Sequence, residues 1–310
     1  MSSKSPDDAL LSQLDLTQNG IKLVTLTFGI NLYTGVSFYD CPEAVLKGLD
    51  LFLEQCPREQ LRFYSTETMT AHKPVTARAL NMPRTWLKPG APKKDFIALE
   101  LKSGEAYQDA PQFKYDIWSV AKSKQAKVLS MAFPAAWSLE QPDRLLALVQ
   151  QLGDVFPFTS GLAGYSLERS PYVKDESETH AWNMSMRHVG IDIVRLPFDA
   201  KAPGSDAVKG VGWLTLLGTG LLAELGGEKN LAAKLSKDVE LISSTHGVII
   251  KAGPVPRLGD VNRNDSLPLY RSVYKVVAPL IRKAAERSME FLVPGDSADK
   301  TLAWYLRLGA

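Results

Sequence analysis

Three groups of residues have types and spacings suited to chemistry, and each calls for a different kind. Gly218-Thr-Gly220-Leu-Leu-Ala223 follows a strand-like run and opens a helix-like one, with Asp238 and Glu240 downstream. That is the outline of a dinucleotide fingerprint, in which backbone N–H groups at a helix start hold a pyrophosphate. Four histidines, His72, His180, His188 and His246, are the only imidazoles available for a metal or a proton relay. None lies at the tight spacing of a zinc motif, and His188 would meet Asp192 one turn on only if that stretch were helical. The third group is acidic and aromatic: Glu100, Glu105, Asp109 and Asp116 beside Tyr107, Phe113 and Tyr115, with Asp175, Glu176 and Glu178 further on. Such a set either forms a solvated face or docks on a basic partner, where complementary charge speeds encounter and aromatic anchors supply energy.

The dinucleotide outline fails on local grounds. Gly226-Gly227 would end the helix within two turns, and the chain lacks the β-α-β alternation that builds a doubly wound sheet. The glycines are read as turn formers. No G-x-S-x-G elbow occurs, so no serine is singled out as a nucleophile.

The elements that must position these residues follow from hydrophobic periodicity. A short helix is expected over Pro6 to Leu14, carrying Leu10, Leu11 and Leu14 and stopped by Asn19-Gly20, and a strand over Lys22 to Tyr33. Asp40-Cys41-Pro42 supplies an N-cap candidate for a helix with Val45, Leu46, Leu49, Phe52 and Leu53 on one face. A strand near Leu61 to Ser65 gives way to an irregular connection through Pro74, Pro83, Pro89 and Pro92. Runs at Asp95 to Leu101, Phe113 to Val120 and Lys127 to Phe133, joined by short links, predict an antiparallel meander. A helix over Glu140 to Leu152, a strand over Gly161 to Leu167 and a mixed, helix-compatible stretch over Glu176 to His188 come next. Trp213 with Leu214, Leu216 and Leu217 reads as a core strand, Val239 to Lys251 as a hairpin, and Pro268 to Met289 as a long helix irregular at Pro279. The expected fold class is therefore α+β, with antiparallel sheets and packed helices. One body over residues 1–310 is expected, in which two α+β halves, 1–155 and 156–310, loosely repeat the order of elements.

Composition narrows the function. A hydrophobic share of 45% allows a full core, and a net charge of +2 with scattered basic residues lacks the footprint of a nucleic-acid binder. Cys41 and Cys56 are too few for a disulfide framework and read as small thiols of a reducing compartment. The first residues lack the apolar segment of a signal peptide and no stretch is long enough to span a bilayer, so the expected location is the cytoplasm, away from membrane.

The most distinctive pattern lies in the last third: Lys209-Gly-Val-Gly-Trp213-Leu-Thr-Leu-Leu-Gly218, Leu225-Gly226-Gly227, and Ala252-Gly253-Pro-Val-Pro256-Arg-Leu-Gly259-Asp260-Val-Asn262. From the residues alone, Asp260 and Asn262 either cap a turn or project at a recognition surface. On these motifs the chain resembles the type VI secretion immunity family, the TsiV-type proteins encoded beside bacterial VRR-Nuc nuclease toxins, with Gly212 standing where that pattern has Asn. The resemblance implies a non-enzymatic inhibitor, without cofactor, that binds a cognate secreted toxin and covers its substrate surface through an interface of roughly 1,600 Å². It also implies that Trp213, Gly218, Gly226, Gly227, Gly253, Pro256, Gly259, Asp260 and Asn262 maintain the fold. The toxin-facing residues are not carried over from the family; on charge alone the candidates are Glu100, Glu105, Tyr107, Asp109, Asp116, Asp175, Glu176 and Glu178. A nucleotide-binding enzyme using Gly218 to Ala223, and an adaptor that escorts an effector, are the alternatives; self-association is left open.

Overall fold

The computed structural model describes residue 11, residues 13–196 and residues 198–310. The helix expected over Pro6 to Leu14 falls largely outside them. Asn19-Gly20, expected to stop that helix, instead turns a hairpin between β1 (Leu16–Gln18) and β2 (Ile21–Thr34). Both turn residues have positive φ, 51° and 78°, which asparagine and glycine tolerate and which matches the twist of paired strands.

After β2 comes α1 (Pro42–Gln55), which turns Val45, Leu49 and Phe52 inward as the periodicity predicts. Each such buried side chain contributes about 1.5–3 kcal/mol relative to exposure. Asp40 does not cap this helix: Cys41 occupies the N-cap without a side-chain bond, and Pro42 presets the first turn. Next are β3 (Phe63–Thr66) and β4 (Lys73–Pro74). The proline-broken connection then holds two short helices, α2 (Ala77–Leu80) and α3 (Met82–Trp86). The meander is β5 (Phe96–Lys102), β6 (Lys114–Val120) and β7 (Lys127–Pro134), antiparallel throughout. The helix expected from Glu140 splits into α4 (Trp137–Glu140) and α5 (Pro142–Val155). Pro142 pushes Gln141 out of the helical region, to φ −142° and ψ 50°.

The chain continues through β8 (Ser160–Arg169), α6 (Lys174–Arg187), β9 (Asp192–Ile193) and β10 (Leu214–Gly218). Then come α7 (Thr219–Glu224), α8 (Gly227–Lys234), β11 (Glu240–Ser244), β12 (Gly247–Lys251), α9 (Pro268–Arg287) and α10 (Ser297–Leu306). In α9 Pro279 lies on the exposed side, where the carbonyl it leaves without a donor can reach water.

The result is an α+β fold on one sheet of strand order β11-β12-β10-β8-β2-β7-β6-β5-β3-β4, with β1 added at β2. Every pairing is antiparallel except the short β8–β9 pair. The long central pair β2–β8 runs from Val24↔Arg169 to Tyr33↔Ser160. On one face of the sheet Leu26, Phe28, Ile30, Leu99, Ile117, Leu129 and Met131 are all buried, joined in one core with Val45, Leu49 and Phe52 of α1 and Leu148, Val149 and Leu152 of α5. The opposite face carries the polar residues, because side chains alternate along each strand.

Candidate functional site

The polar face is ordered by register. Ser65↔Glu100↔Asp116↔Ser130↔Asn31 form one row from β3 to β2, and Lys102↔Lys114↔Ala132↔Gly29 form the row beside it. Directly opposed carboxylates repel, and the structure treats the pair Glu100 and Asp116 unequally. Glu100 is paired with His72 Nε2 at 3.2 Å. Burial acts to raise its pKa, but the hydrogen bond and charge of His72, with Lys102 and Lys114, bring it down to about 2. Among the described residues the Asp116 side chain finds neither a hydrogen bond nor an ion pair. Burial, only partly offset by Lys114 and reinforced by Glu100 and Glu168, pushes its carboxyl up to about 8. From β8, Glu168 accepts from Lys114 Nζ at 2.5 Å through Oε2, while its buried Oε1 has no hydrogen-bond partner.

These carboxylates line a cleft. A cavity of about 310 Å³ is bordered by Glu100, Lys114, Asp116, Glu168, Arg169, Lys174, Leu196, Phe198 and Leu292. A second, of about 330 Å³, runs over Thr66, Phe96 and Trp118, and shares Glu100, Asp116 and Leu196 with the first. Phe198 at 40% and Leu292 at 53% exposure stand at its rim. Beyond His72, whose Nδ1 lies 2.8 Å from the Tyr172 hydroxyl, Tyr172 packs edge-on against Tyr107 at 5.1 Å. Acidic residues and exposed aromatics thus meet in one region, a composition suited to a partner-binding surface.

A second charge cluster is ion-paired throughout and adjoins the first, since its Glu178 and Arg169 also border the cavity of about 310 Å³. Lys209, 1% exposed, places Nζ 3.0 Å from Asp192 Oδ2, 2.6 Å from the Ile193 carbonyl and 2.7 Å from Asp199 Oδ2. Three ammonium protons meet three acceptors, which is what makes a buried lysine tolerable. Glu178 sits between Arg169 (3.4 Å) and Arg195 (3.1 Å), and Arg195 also donates to the carbonyls of Met289 and Glu290. Arg307 closes the C-terminus by donating to the carbonyls of Val189, Ile191 and Trp304.

The structure divides the acidic and aromatic set. Glu100 and Asp116 face each other in the cleft, and Tyr107 and Glu105 are exposed on the loop after β5. Asp175 and Glu176 are exposed in the first turn of α6, next to Tyr172 in sequence. Asp109 and Glu178 are buried and bonded internally: Asp109 accepts from the backbone N–H of Lys22, Glu105 and Ala106, and Glu178 holds the two arginines. Lys114, Glu168, Phe198 and Leu292 complete the cleft and were not singled out by sequence, and His72, with Tyr172 beyond it, stands behind Glu100. Period-two alternation was the available signal for Lys114, two residues from Asp116 on the same face of β6. No local pattern ties His72 to Glu100.

The motif residues lie in and around the core. The indole N–H of Trp213 donates to the Gly253 carbonyl at 2.9 Å, joining the two halves of the pattern. Gly218 ends β10 so close to the preceding chain that a Cβ would lie 2.6 Å from the Phe158 carbonyl oxygen. Close strand contact, not a phosphate, requires glycine there, and α7 behind it is six residues long. Gly226 and Gly227, both at positive φ, turn the chain from α7 into α8. Gly253 and Pro256 are buried in the loop, and the Gly259 carbonyl lies 2.6 Å from His188 Nδ1. Asp260 caps the turn at Val261–Arg263, accepting from Asn262 N–H, and also accepts from Arg187 Nε and Nη2. Asn262 takes part through its backbone, with its side chain exposed. His188 follows the end of α6, so it does not form a helical pair with Asp192. Among the described residues no cluster of His, Cys, Asp or Glu could hold a metal, both cysteines are free thiols, and no helix is long and apolar enough to cross a membrane.

An antiparallel α+β scaffold thus carries an ion-paired charge cluster and, beside it, an aromatic-rimmed acidic cleft. The chain belongs to the TsiV family, described as type VI immunity for VRR-NUC, whose model matches residues 44–308. The fold is that of a solved structure, Pseudomonas aeruginosa T6SS protein PA0821, at 21% identity and a TM-score of 0.81, covering 98% of this chain and 90% of that one. No curated protein matches the chain.

Proposed function

We propose that this chain neutralises a cognate type VI toxin by seating the acidic, aromatic-rimmed cleft on it and covering its substrate-binding surface, without catalysis or cofactor. The observation that carries this reading is the Asp116 carboxyl and Glu168 Oε1, both without a partner, in a cleft bordered by exposed Phe198 and Leu292. A nuclease presents a basic face to its substrate, and an acidic inhibitor surface matches that face. Membership of an immunity family supports a toxin as the partner; a nuclease toxin would be met in the cytoplasm, where its substrate is. Exposed Glu105, Tyr107, Asp175 and Glu176 form the outer part of the contact, and Glu100 and Asp116 its centre.

The test is co-expression in a bacterium of the toxin-like product of the adjacent gene, with and without this protein, followed by purification of the complex. Rescue and a stable complex are expected for the wild type. The triple variant Glu105→Lys, Asp175→Lys, Glu176→Lys, all at exposed positions, is expected to keep its circular dichroism and lose rescue. Unchanged rescue by this folded variant would remove the cleft region from the interface.

A further inference from the structure

Resting on the toxin-binding reading, we propose that the seat between Glu100 and Asp116 receives an arginine side chain of the bound protein, its guanidinium against the two carboxylates and its stem along Leu196 and Trp118. The balance of donors and acceptors points this way. Lys114 and Arg169 already hold Glu168 and Glu178, and Lys174 is exposed at the mouth. The cavity holds the Asp116 carboxyl without a partner and an unpartnered Oε1 on Glu168, a residue only 3% exposed; the buried donors without a hydrogen-bond partner at its walls are Trp118 Nε1 and Arg169 Nε. A cationic group with several N–H donors would complete the two carboxyl groups.

Guanidinium fits better than ammonium for two reasons. It carries five donors in a plane and stays charged when desolvated, whereas a buried lysine readily loses its proton. The walls are also suited to a planar group, since Phe96 and Trp118 pack edge-on at 4.4 Å along the second cavity and Leu196 belongs to both.

A proton is coupled to this event. The charged groups around Asp116 are Lys114 on its own strand, Glu100 from β5 with His72 behind it, and Glu168 from β8 with Arg169 beside it; Lys174 of α6 stands at the mouth, and β7 contributes uncharged Ser130. In this setting Asp116 retains its proton up to about pH 8. A guanidinium favours the carboxylate and lowers that value, so binding releases the proton. Affinity then rises with pH through the window below about 8 and is level above it.

The measurement is NMR of the 13C-labelled Asp116 carboxyl on the whole protein, titrated from acid to alkaline pH with millimolar N-acetylargininamide. Its uncharged isostere N-acetylcitrullinamide and N-acetyllysinamide serve as comparisons. The expected result is binding of the arginine probe that tightens about tenfold per pH unit below the midpoint, with a lowered Asp116 midpoint. Shift changes should centre on Glu100, Leu196 and Trp118. Asp116→Asn should abolish the pH dependence, and Glu100→Gln, a second variant in case the first does not fold, should weaken the probe severalfold. Equal binding of the citrulline or lysine probe, or an unmoved Asp116 midpoint, would overturn the arginine seat. Rescue by wild type with an unmoved midpoint would sink the seat and keep the immunity reading. Absence of rescue, whatever the probe does, would sink the immunity reading itself.

Discussion

The two charge clusters are built from the same residue types and differ in whether every carboxyl has an ion-pair partner. Around Lys209 and Glu178 each charge is met by an opposite charge or a carbonyl. Around Glu100 and Asp116 the buried cations His72 and Lys114 are paired to Glu100 and Glu168, and the Asp116 carboxyl has no ion-pair partner. The lesson is that burial of charge does not distinguish scaffold from site here. A carboxyl without a cation beside a cavity does.

The strongest way to break the contrast is Lys209→Met. It leaves Asp192 and Asp199 together in the interior without their counter-charge, and about 3–5 kcal/mol of unfolding free energy should be lost in urea titration. A loss under about 1 kcal/mol would mean that the cluster adjusts by taking up protons and is not a closed structural unit. Glu178→Gln comes next, because one carboxylate serves both Arg169 and Arg195. About 3 kcal/mol is expected from its removal, read by the same titration. The carbonyls of Met289 and Glu290 still hold Arg195, which is why the loss should be smaller than at Lys209.

Most of the scaffold was legible in the sequence. The alternation of Lys22 to Tyr33 and the meander from residue 95 to 134 gave β2 and β5 to β7 because a two-residue period leaves little choice of structure. The glycine at 218 and the proline at 142 are locally ambiguous for opposite reasons. Gly218 matched a ligand motif while serving a close chain contact, and Pro142 cut a helix whose apolar stripe reads as continuous. The site was legible only in part. Glu100 and Asp116 were singled out on charge, yet their opposition depends on strand register, which is a tertiary property. Asp109 and Glu178 looked the same in sequence and turned inward, since partners 87 residues away (Lys22) or on other elements (Arg169, Arg195) decide their fate. Lys209 went unread as a buried charge because its three acceptors lie on a separate stretch, Asp192 to Asp199.

Asp116→Asn sharpens the contrast by reversing the sign of the effect. The folded-state carboxyl sits at about 8, above its ordinary 3.8, so the folded protein holds a proton that the unfolded chain gives up. Its contribution is full below about pH 4 and is lost as pH rises through 8. Unlike the substitutions in the closed cluster, Asp116→Asn should therefore stabilise the protein at pH 8.5, by about 2 kcal/mol, and flatten the decline between pH 4 and 8. Glu100, held near 2, works the other way: its contribution is present above about pH 4.5 and disappears as pH falls toward 2. Destabilisation by Asp116→Asn at alkaline pH would show that the carboxylate is bonded within the fold and that the cleft is closed after all.

The smallest stability effect should come from the rim, where function and fold separate most cleanly. Tyr107 is 39% exposed and its ring contact is to Tyr172, itself 38% exposed, so Tyr107→Ala should change unfolding free energy by no more than about 0.5 kcal/mol. If the rim anchors a toxin, the same substitution should weaken the purified complex by about 1–2 kcal/mol, a roughly tenfold change in Kd measurable by calorimetry. The asymmetry follows from solvation. In the free protein the ring already meets water on one side and loses little when removed, whereas in the complex that side would be buried and its deletion would forfeit the whole contact. A Kd unchanged by Tyr107→Ala but raised by Asp116→Asn would confine the interface to the acidic centre. The reverse would move it outward to the aromatic rim and leave the open carboxylates without a partner.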